Sequence, residues 1–393
     1  VYKRQVGGSW NIYKEKFFQA DFVDMLKLRA SYGIGGNIGR NTAPYLIASY
    51  YDSSLVDGMA GSVNTPPNKD IRWEKTTTVN VGVDFALFRH RLSGTIEYYN
   101  KYSVDLLAAI NGSPTQGFGY TTLMTNNGKM VNRGVEITLS GEIIRQKDFS
   151  WNASLLYAFN RNKVKHISVQ PSLWDSRISM PTSYPMVGKP LYGIYAYKWA
   201  GLNENGDPQV YDAENNVTSG PARDYHALVY CGTTVPIHNA SLTNVLRYKG
   251  FEFSAMLILD AGHKLRSSNI PSINMSNGRI TSTAKGIVDR WTQPGDVTDV
   301  PRLLFSNDTE NFNTHRTELY RYSDLFVYDA SNIRLSNISL AYRVPAHWCK
   351  KISLSGARLQ FNVENVATFA FDSKANYCLL YTSPSPRDRS VSR

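Results

Sequence analysis

The sequence lacks any long apolar run. No stretch among its 393 residues approaches the roughly 18 consecutive apolar residues that mark a transmembrane helix. This absence excludes a helical membrane protein, but it leaves a β-barrel open, because a membrane-spanning strand needs only about 9 to 11 residues. Cysteine is scarce as well. The 3 cysteines form no Cys-x-x-Cys pair and no metal-ligand spacing, so they predict no metal site.

Catalytic motifs are also missing. The chain contains no His-Glu-x-x-His, Gly-x-Ser-x-Gly or P-loop sequence, and none of its 7 histidines pairs with another at metal-ligand spacing. Asn203, Asn205 and Asp207 loosely resemble a calcium-binding loop, but the glycine and the distal glutamate are misplaced, which favours an ordinary turn. We therefore expect a protein that is not an enzyme and that holds no cofactor or metal ion.

The net charge of +11 comes from basic residues scattered along the chain. No block of Lys and Arg is interleaved with aromatic residues, so the sequence predicts no nucleic-acid surface. The two terminal segments, residues 1–5 and 378–393, do not continue the adjoining patterns and resemble translated sequencing adapters. We leave both segments out of the fold prediction, as would be done for the scars of a fusion protein. We expect residues 6–377 to form one domain.

The chain is rich in long alternations of apolar and polar residues. They run through Val79–Leu87, Leu92–Tyr98, Val135–Leu139 and Phe149–Phe159. A period of two predicts β-strands with one apolar and one polar face. These strands reach about 10 to 15 residues, whereas strands of globular proteins usually have about five or six. Tight turns alternate with long connections rich in Gly and Asn, which is typical of a transmembrane β-barrel.

We predict ten wall strands joined alternately by tight turns and long connections. The strands are Ser9–Phe18, Leu26–Tyr32, Trp73–Leu87, Leu92–Ser103, Arg133–Ile143, Phe149–Arg161, Leu242–Tyr248, Phe251–Asp260, Ile333–Tyr342 and Ile352–Glu364. The tight turns, all expected on one rim, are Phe88–Arg91, Arg145–Asp148, Lys249–Gly250 and Val344–Lys351. Long connections, including Val104–Asn132 and Ala261–Ala330, then leave the opposite rim, where loops of such length usually serve function. Within them we expect a strand outside the wall at Tyr192–Trp199 and a short helix near Ala284–Trp291.

The polar face of the predicted wall carries four carboxylates. They are Asp84, Glu97, Glu136 and Asp260. A charged side chain on the lipid-facing side would cost about 2–4 kcal/mol at mid-membrane, so their confinement to polar positions predicts that they face a hydrated lumen. Paired carboxylates also serve as general acids and bases, which is the alternative interpretation.

Several segments in chain order carry motifs of one known family. They are Leu26–Gly33, Ile71–Thr77, Arg91–Lys101, Asn126–Glu136, Asp148–Trp151 and Tyr248–Phe251. The first reads Leu-Lys-Leu-Arg-Ala-Ser-Tyr-Gly, and the fourth contains Met-Val-Asn-Arg-Gly-Val-Glu. These motifs resemble those of the SusC/RagA family of TonB-linked outer-membrane receptors, and the resemblance extends from Ser9 to Asn376.

The resemblance implies both a fold and a function. The fold is an all-β, transmembrane antiparallel β-barrel, of which this chain would form part, about ten strands of a roughly 22-stranded barrel with long extracellular loops. The function is uptake of glycans or oligosaccharides, and of peptides in some members, across a Gram-negative cell outer membrane, whose lipids would surround the barrel. A SusD-like lipoprotein would cap the barrel. TonB would act only through an N-terminal part that this sequence does not include.

Five aromatic residues in the long connections are candidate contacts for the substrate or the lid, because sugar faces stack on aromatic rings. They are Trp174, Tyr184, Tyr192, Tyr195 and Trp291. The alternative is that these rings only pack the loops together. Other functions also stay open: a siderophore or vitamin receptor of the same type, a passive porin, or a secreted, soluble carbohydrate-binding β-protein.

Overall fold

The chain forms two compact units. A computed structural model describes residues 3–37, 39, 44–53, 58–65, 67–111, 122–169, 175–220, 224–275, 283–305, 314–351 and 353–375. The first unit, here called the sheet unit, comprises Val1–Val169, Pro236–Ala261 and Ser331–Phe369. The second, here called the loop unit, comprises Gln170–Val235, Gly262–Ala330 and Ala370–Arg393. None of the helices in the described ranges is long and apolar enough to cross a membrane.

The sheet unit is built on a ten-stranded sheet whose strands neighbour one another in chain order. The strands are β1 (Lys3–Asn11), β2 (Val23–Asn37), β3 (Glu74–Leu87), β4 (Leu92–Asn111), β5 (Thr122–Arg145), β6 (Phe149–His166), β7 (His238–Tyr248), β8 (Phe251–Ala261), β9 (Asn332–Arg343) and β10 (Arg358–Ala370). A separate hairpin, Ile47–Ser53 with Gly58–Thr65, lies in the connection between β2 and β3 and was not predicted. The number and order of the wall strands confirm the prediction.

The register of the sheet separates its two faces as the alternation predicts. Val83 lies opposite Ile96, Ile96 opposite Ile137, and Ile137 opposite Tyr157, which makes an apolar row across β3 to β6. Successive side chains of a strand point to opposite faces, so the neighbouring row belongs to the polar face. An all-β fold with one apolar and one polar surface is therefore confirmed.

Strands β4 and β5 are longer than the sequence predicted, so much of the connection expected at Val104–Asn132 is strand. The pairing of these strands continues past Ser103 through two register shifts, one between Ser103 and Leu106 and one between Leu106 and Leu107. Asp105 has a left-handed φ of 56° there, which is the local kink of a β-bulge. Because a bulge adds an unpaired residue, the alternation changes phase at this point and the sequence pattern seemed to end. The prediction of a loop was wrong over this part.

The predicted position of the first strand was also wrong. Strand β1 occupies Lys3–Asn11 rather than Ser9–Phe18, because every residue from Lys3 to Asn11 pairs with β2. A 3-10 helix at Ile12–Lys14 then ends the strand.

The last strand begins later than predicted. Strand β10 starts at Arg358, whereas the alternation placed its start at Ile352. A short helix, Ala346–Lys351, follows Pro345 and occupies the predicted tight turn. Cys349 of this helix is 1% exposed, and its Sγ donates a hydrogen bond to the Val344 carbonyl at 3.8 Å, which anchors the helix to the end of β9.

The loop unit contains short strands and helices. Its strands are Gly193–Tyr197, Trp199–Leu202, Pro208–Tyr211, Val217–Thr218, Leu228–Thr233, Lys264–Arg266, Asn274–Met275, Leu304–Phe305 and Val327–Asp329. Its helices are Ser176–Ser179, Tyr225–Ala227, Lys285–Asp289, Thr314–Arg321 and Asp324–Phe326. The short helix predicted near Ala284–Trp291 is confirmed as the 3-10 helix in this region.

The loop unit has a hydrophobic core that joins several of its short strands and helices. Tyr195, Tyr197 and Leu319 are at most 2% exposed and pack together in one cluster. The strand Gly193–Tyr197 pairs with Leu228–Thr233 in a sheet of its own, so the predicted strand at Tyr192–Trp199 does lie outside the wall. Leu319 belongs to the helix Thr314–Arg321, which the sequence pattern did not predict within this connection.

Candidate functional site

The polar face of the sheet has Arg29 of β2 at the centre of an ion network. Its Nε donates a hydrogen bond to Asp84 of β3 at 3.1 Å, and its Nη2 donates one to Glu97 of β4 at 2.9 Å. Gly82 lies opposite both Arg29 and Glu97, and a Cβ at this position would stand 3.2 Å from the guanidinium. The glycine therefore leaves the space in which one arginine joins three strands.

One register row of the polar face joins the other predicted carboxylates. It runs from Glu97 to Glu136, then through Ala158 and Asn239 to Asp260. Glu97 and Glu136 are directly opposite each other, a repulsive arrangement that the neighbouring guanidinium relieves. Asp260 accepts a hydrogen bond from Asn239 Nδ2 at 2.6 Å. The four carboxylates therefore share one face, and their exposure to a lumen stays a prediction.

The five aromatic candidates differ in burial. Trp174 lies outside the described residues. Tyr184 and Tyr195 are 7% and 1% exposed, so their rings pack the loop unit and offer a ligand no surface. Tyr192 is 50% exposed, and Trp291 is partly exposed. Contact with a substrate or lid stays a prediction for Tyr192 and Trp291, while burial favours the packing interpretation for the other two.

The buried Tyr195 is held by a polar contact and a cation. Its phenol oxygen accepts a hydrogen bond from the backbone N–H of Met186 at 3.1 Å, and burial raises the pKa of the phenol. The guanidinium of Arg177 lies 5.8 Å from the Tyr195 ring and 5.0 Å from the Tyr225 ring. A cation close to two aromatic faces stabilises the packing of the three segments.

The segment from Asn203 to Asp207 forms a turn. Asn203 Oδ1 accepts hydrogen bonds from the backbone N–H groups of Asn205 at 3.0 Å and Asp207 at 2.8 Å. Gly206 has a left-handed φ of 75°, and the Trp291 indole packs against it so closely that a Cβ would not fit. The turn interpretation is confirmed. Among the described residues, no three His, Cys, Asp or Glu side chains are grouped as a metal site requires.

The carboxylate of Asp207 binds two arginines, a cluster that the sequence did not predict. Arg302 donates to it from Nε at 3.1 Å and from Nη2 at 2.8 Å, and Arg316 donates from Nε at 2.6 Å. Arg316 is the more buried of the two, with 4% of its side chain exposed, and its Nη1 donates to Asn274 Oδ1 at 2.6 Å. Burial lowers the pKa of the Arg316 guanidinium, and the Asp207 carboxylate opposes this shift.

A cleft of about 460 Å³ opens within the loop unit. Its lining combines apolar side chains with hydroxyl and guanidinium groups, and the apolar part includes Ile270, Pro271 and Tyr320. The polar part comes from Ser267, Ser272, Thr317, Arg266, Arg321 and Tyr322. Arg266 is fixed from behind, because its Nη2 donates to the Tyr195 carbonyl at 2.6 Å. The described contacts of Arg266 include no ion pair with a carboxylate, so the lining keeps its positive charge. Such a lining suits a hydroxyl-rich or anionic oligomer.

Cys231 provides a test of burial in the loop unit. Burial raises the pKa of its thiol to about 11. Because the thiolate is the reactive form, we expect a maleimide to label Cys231 of the full-length receptor slowly at pH 7 and faster as the pH is raised. The matched control is Glu214→Cys in a Cys231→Ala background, since Glu214 is exposed. Equal labelling rates at the two positions at pH 7 would contradict the expectation.

Comparison with known proteins identifies the family. The family model for a TonB dependent receptor-like β-barrel matches residues 5–366. TonB-dependent receptor P3 of Formosa agariphila is 27% identical over 397 residues, which cover 94% of this chain and 38% of that protein. TonB-dependent receptor SusC of Bacteroides thetaiotaomicron is 26% identical over 378 residues, which cover 91% of this chain and 35% of that protein. The chain spans well under half the length of the curated relatives it matches.

A solved structure shows the same fold. The structure of the RagAB peptide transporter matches with a TM-score of 0.76 and 23% sequence identity, over 94% of this chain and 40% of that chain. This likeness confirms a partial transmembrane β-barrel, and the relatives confirm the predicted SusC/RagA resemblance and the cell outer membrane as the location. The chain belongs to the TonB-dependent receptor-like β-barrel family of the outer membrane.

Proposed function

We propose that the receptor containing this chain imports oligomeric nutrients through the outer membrane. The sheet unit supplies part of the wall of a hydrated path, and the loop unit supplies a surface for recognition. The observation that carries the proposal is the polar row from Glu97 through Glu136 to Asp260, with an apolar face on the other side of the same strands. A water-filled membrane barrel needs this arrangement of its two surfaces.

The exposure of the apolar face supports contact with lipid. Val81, Ile96 and Tyr98 are neighbours on this face and are 48%, 43% and 43% exposed. Contiguous apolar surfaces of this kind mark contact with a membrane or a protein partner rather than with water. This observation favours the importer over the alternative of a secreted, soluble carbohydrate-binding protein.

The proposed cargo is a glycan, an oligosaccharide or a peptide, with a SusD-like lipoprotein as the lid. Support comes from the relatives, of which one is named SusC and another is described as a peptide transporter. We place recognition at the cleft of the loop unit, with Tyr192 and Trp291 as additional contacts. We expect TonB to drive transport by the receptor that contains this chain, without a catalytic step.

Uptake by cells tests the proposed function. We expect deletion of the full-length receptor gene to abolish uptake of one class of labelled oligomer, either oligosaccharides or peptides. Complementation should restore this uptake, and collapse of the proton-motive force should remove it again. Uptake of both oligomer classes at the wild-type rate in the deletion strain would contradict the proposal.

The ion network of the polar face predicts a change in selectivity. Replacing Arg29 by glutamine removes the cation between Asp84 and Glu97, so the wall becomes more negative. We expect anionic oligomers to be imported several-fold more slowly relative to neutral ones, because lumen substitutions tune selectivity. The measurement is the ratio of the two uptake rates in the full-length receptor. Arg89→Gln at an exposed tight turn is the control with the same charge change, and an equal ratio in both variants would count against the lumen assignment.

A further inference from the structure

We propose that the apolar face of the sheet carries a site for the phosphate groups of a glycolipid in the outer leaflet. The site, here called the basic patch, consists of Arg133 on β5 with Arg161 and Lys163 on β6. Arg133 is paired with Arg161, and Val131 is paired with Lys163. Val135 and Phe159, the next pair along the same face, belong to the apolar surface. The three cations therefore project from the lipid-facing side of the wall.

The basic patch lies where the apolar band ends. From Gly141, next to a tight turn, to Arg133 the strand has eight steps, or about 27 Å at 3.4 Å per residue. A strand tilt of about 40° reduces this to about 20 Å along the membrane normal, close to the roughly 25 Å height of an apolar band. The patch is on the rim away from the tight turns, which is the outer rim in barrels of this type. It therefore meets the headgroup region of the outer leaflet.

Within the part of the chain that the structure describes, the charges of the basic patch have no acidic partner in an ion pair. The described ion pairs of the chain include none of Arg133, Arg161 and Lys163. Arg133 Nε donates to the neutral amide oxygen of Asn100 at 2.9 Å. Two guanidinium groups on directly opposed residues repel each other, and an anion between them reverses the sign of this interaction.

The surroundings of the basic patch fit a phosphate that is attached to acyl chains. Immediately below the cations lie Val135 and the ring of Phe159, and the imidazole of His238 packs 5.3 Å from that ring. Both apolar residues stand where the first methylene groups of a lipid would lie. A phosphate that is free in solution would gain nothing from this surface, whereas a phosphorylated glycolipid uses the cations and the apolar band together.

Lipid titration of the full-length receptor in non-ionic detergent tests the site. The probes are phosphorylated lipid A, dephosphorylated lipid A and inorganic phosphate, followed by native mass spectrometry. We expect the dissociation constant of the phosphorylated lipid to be lower than that of the dephosphorylated lipid by a factor of about ten or more. The double variant Arg133→Gln/Arg161→Gln should lose this preference, whereas Arg133→Lys/Arg161→Lys should keep most of it. Lys163→Gln alone should weaken binding less than the double variant.

A control on the opposite face isolates the effect of position. Lys101 of β4 lies one residue from Asn100, on the polar face, so Lys101→Gln removes one positive charge at the same height, as Lys163→Gln does on the apolar face. We expect this variant to bind the phosphorylated lipid like the wild type, with heat-modifiable migration confirming that every variant is folded. Equal affinity for the two forms of lipid A would overturn the proposal. So would equal losses in Lys101→Gln and Lys163→Gln, or complete competition by inorganic phosphate at the same concentration as the lipid.

Discussion

Replacing Asp207 by alanine is expected to destabilise the loop unit by about 3 kcal/mol. The carboxylate holds Arg302 and Arg316 at hydrogen-bonding distances, and the Arg316 side chain is 4% exposed. Without Asp207, the two guanidinium groups face each other with no carboxylate between them, Arg316 stays buried, and neither can lose its proton. Removing one partner of a buried ion pair costs more than the pair itself contributes, because the remaining charge stays buried.

Limited proteolysis of the full-length receptor measures this effect. In the Asp207→Ala variant we expect the loop unit to be cut roughly a hundredfold faster than in the wild type when cleavage follows local opening, while the sheet stays resistant. The control is Glu214→Ala, an exposed carboxylate of the same unit with one long contact of 3.4 Å to Asn216. An exposed substitution of this kind should change stability by no more than about 0.5 kcal/mol. Similar cleavage rates for the two variants would show that the cluster does not hold the unit together.

The strands of the wall could be predicted because the alternation of apolar and polar residues that marks them lies within each strand. The alternation at Val79–Leu87 is complete within nine residues, and it fixes which side chains share a face wherever the strand pairs. The prediction stopped where a nonlocal feature intervened. The bulge at Asp105 changes the phase of the alternation, and only pairing with β5 shows that the strand continues.

The candidate site was predictable only in part, for the same reason. The alternation along the strands placed Asp84 and Glu97 on one face, but it did not predict their partner. Arg29 lies 55 residues from Asp84 and 68 residues from Glu97 in the sequence. The distance in sequence is larger still for the Asp207 cluster, where Arg316 lies 109 residues from its carboxylate. A turn motif predicts that Asp207 has a particular backbone position, and tertiary structure alone determines which cations its side chain meets.

Burial also explains why the aromatic candidates, which were chosen for their place in the long connections, differ in their access to a ligand. Tyr192 and Tyr195 are separated by three positions, yet they are 50% and 1% exposed. The strand Gly193–Tyr197 is buried along its whole length, so alternation does not mark an exposed face there. An aromatic residue in a long connection is therefore a candidate for contact only when its strand leaves one face open.

Replacing Gly134 by alanine is expected to impair assembly of the sheet unit strongly, although it adds a single methyl group. Gly134 lies opposite Tyr99 on β4, and the tyrosine ring covers it. A Cβ at this position would stand 2.5 Å from the carbonyl oxygen of Phe159 and closer still to the Tyr99 ring. The ring can rotate away, but the carbonyl belongs to the β5–β6 ladder and cannot move without breaking hydrogen bonds. We expect a loss of about 3 kcal/mol, at the upper end of the cost of overpacking.

The amount of heat-modifiable receptor in the outer membrane measures this loss, because only a folded barrel migrates differently before and after boiling. Gly141→Ala is the matched control, since Gly141 is on the same strand and a Cβ there would meet Ile143 and Arg91 at ordinary distances of 3.5 and 3.6 Å. We expect folded receptor at the wild-type level for this control and a strong reduction for Gly134→Ala. The double variant Tyr99→Leu/Gly134→Ala separates the two contacts. Because the Phe159 carbonyl remains in place, removing the ring should restore only part of the loss, and full recovery would show that the ring alone requires glycine at this position.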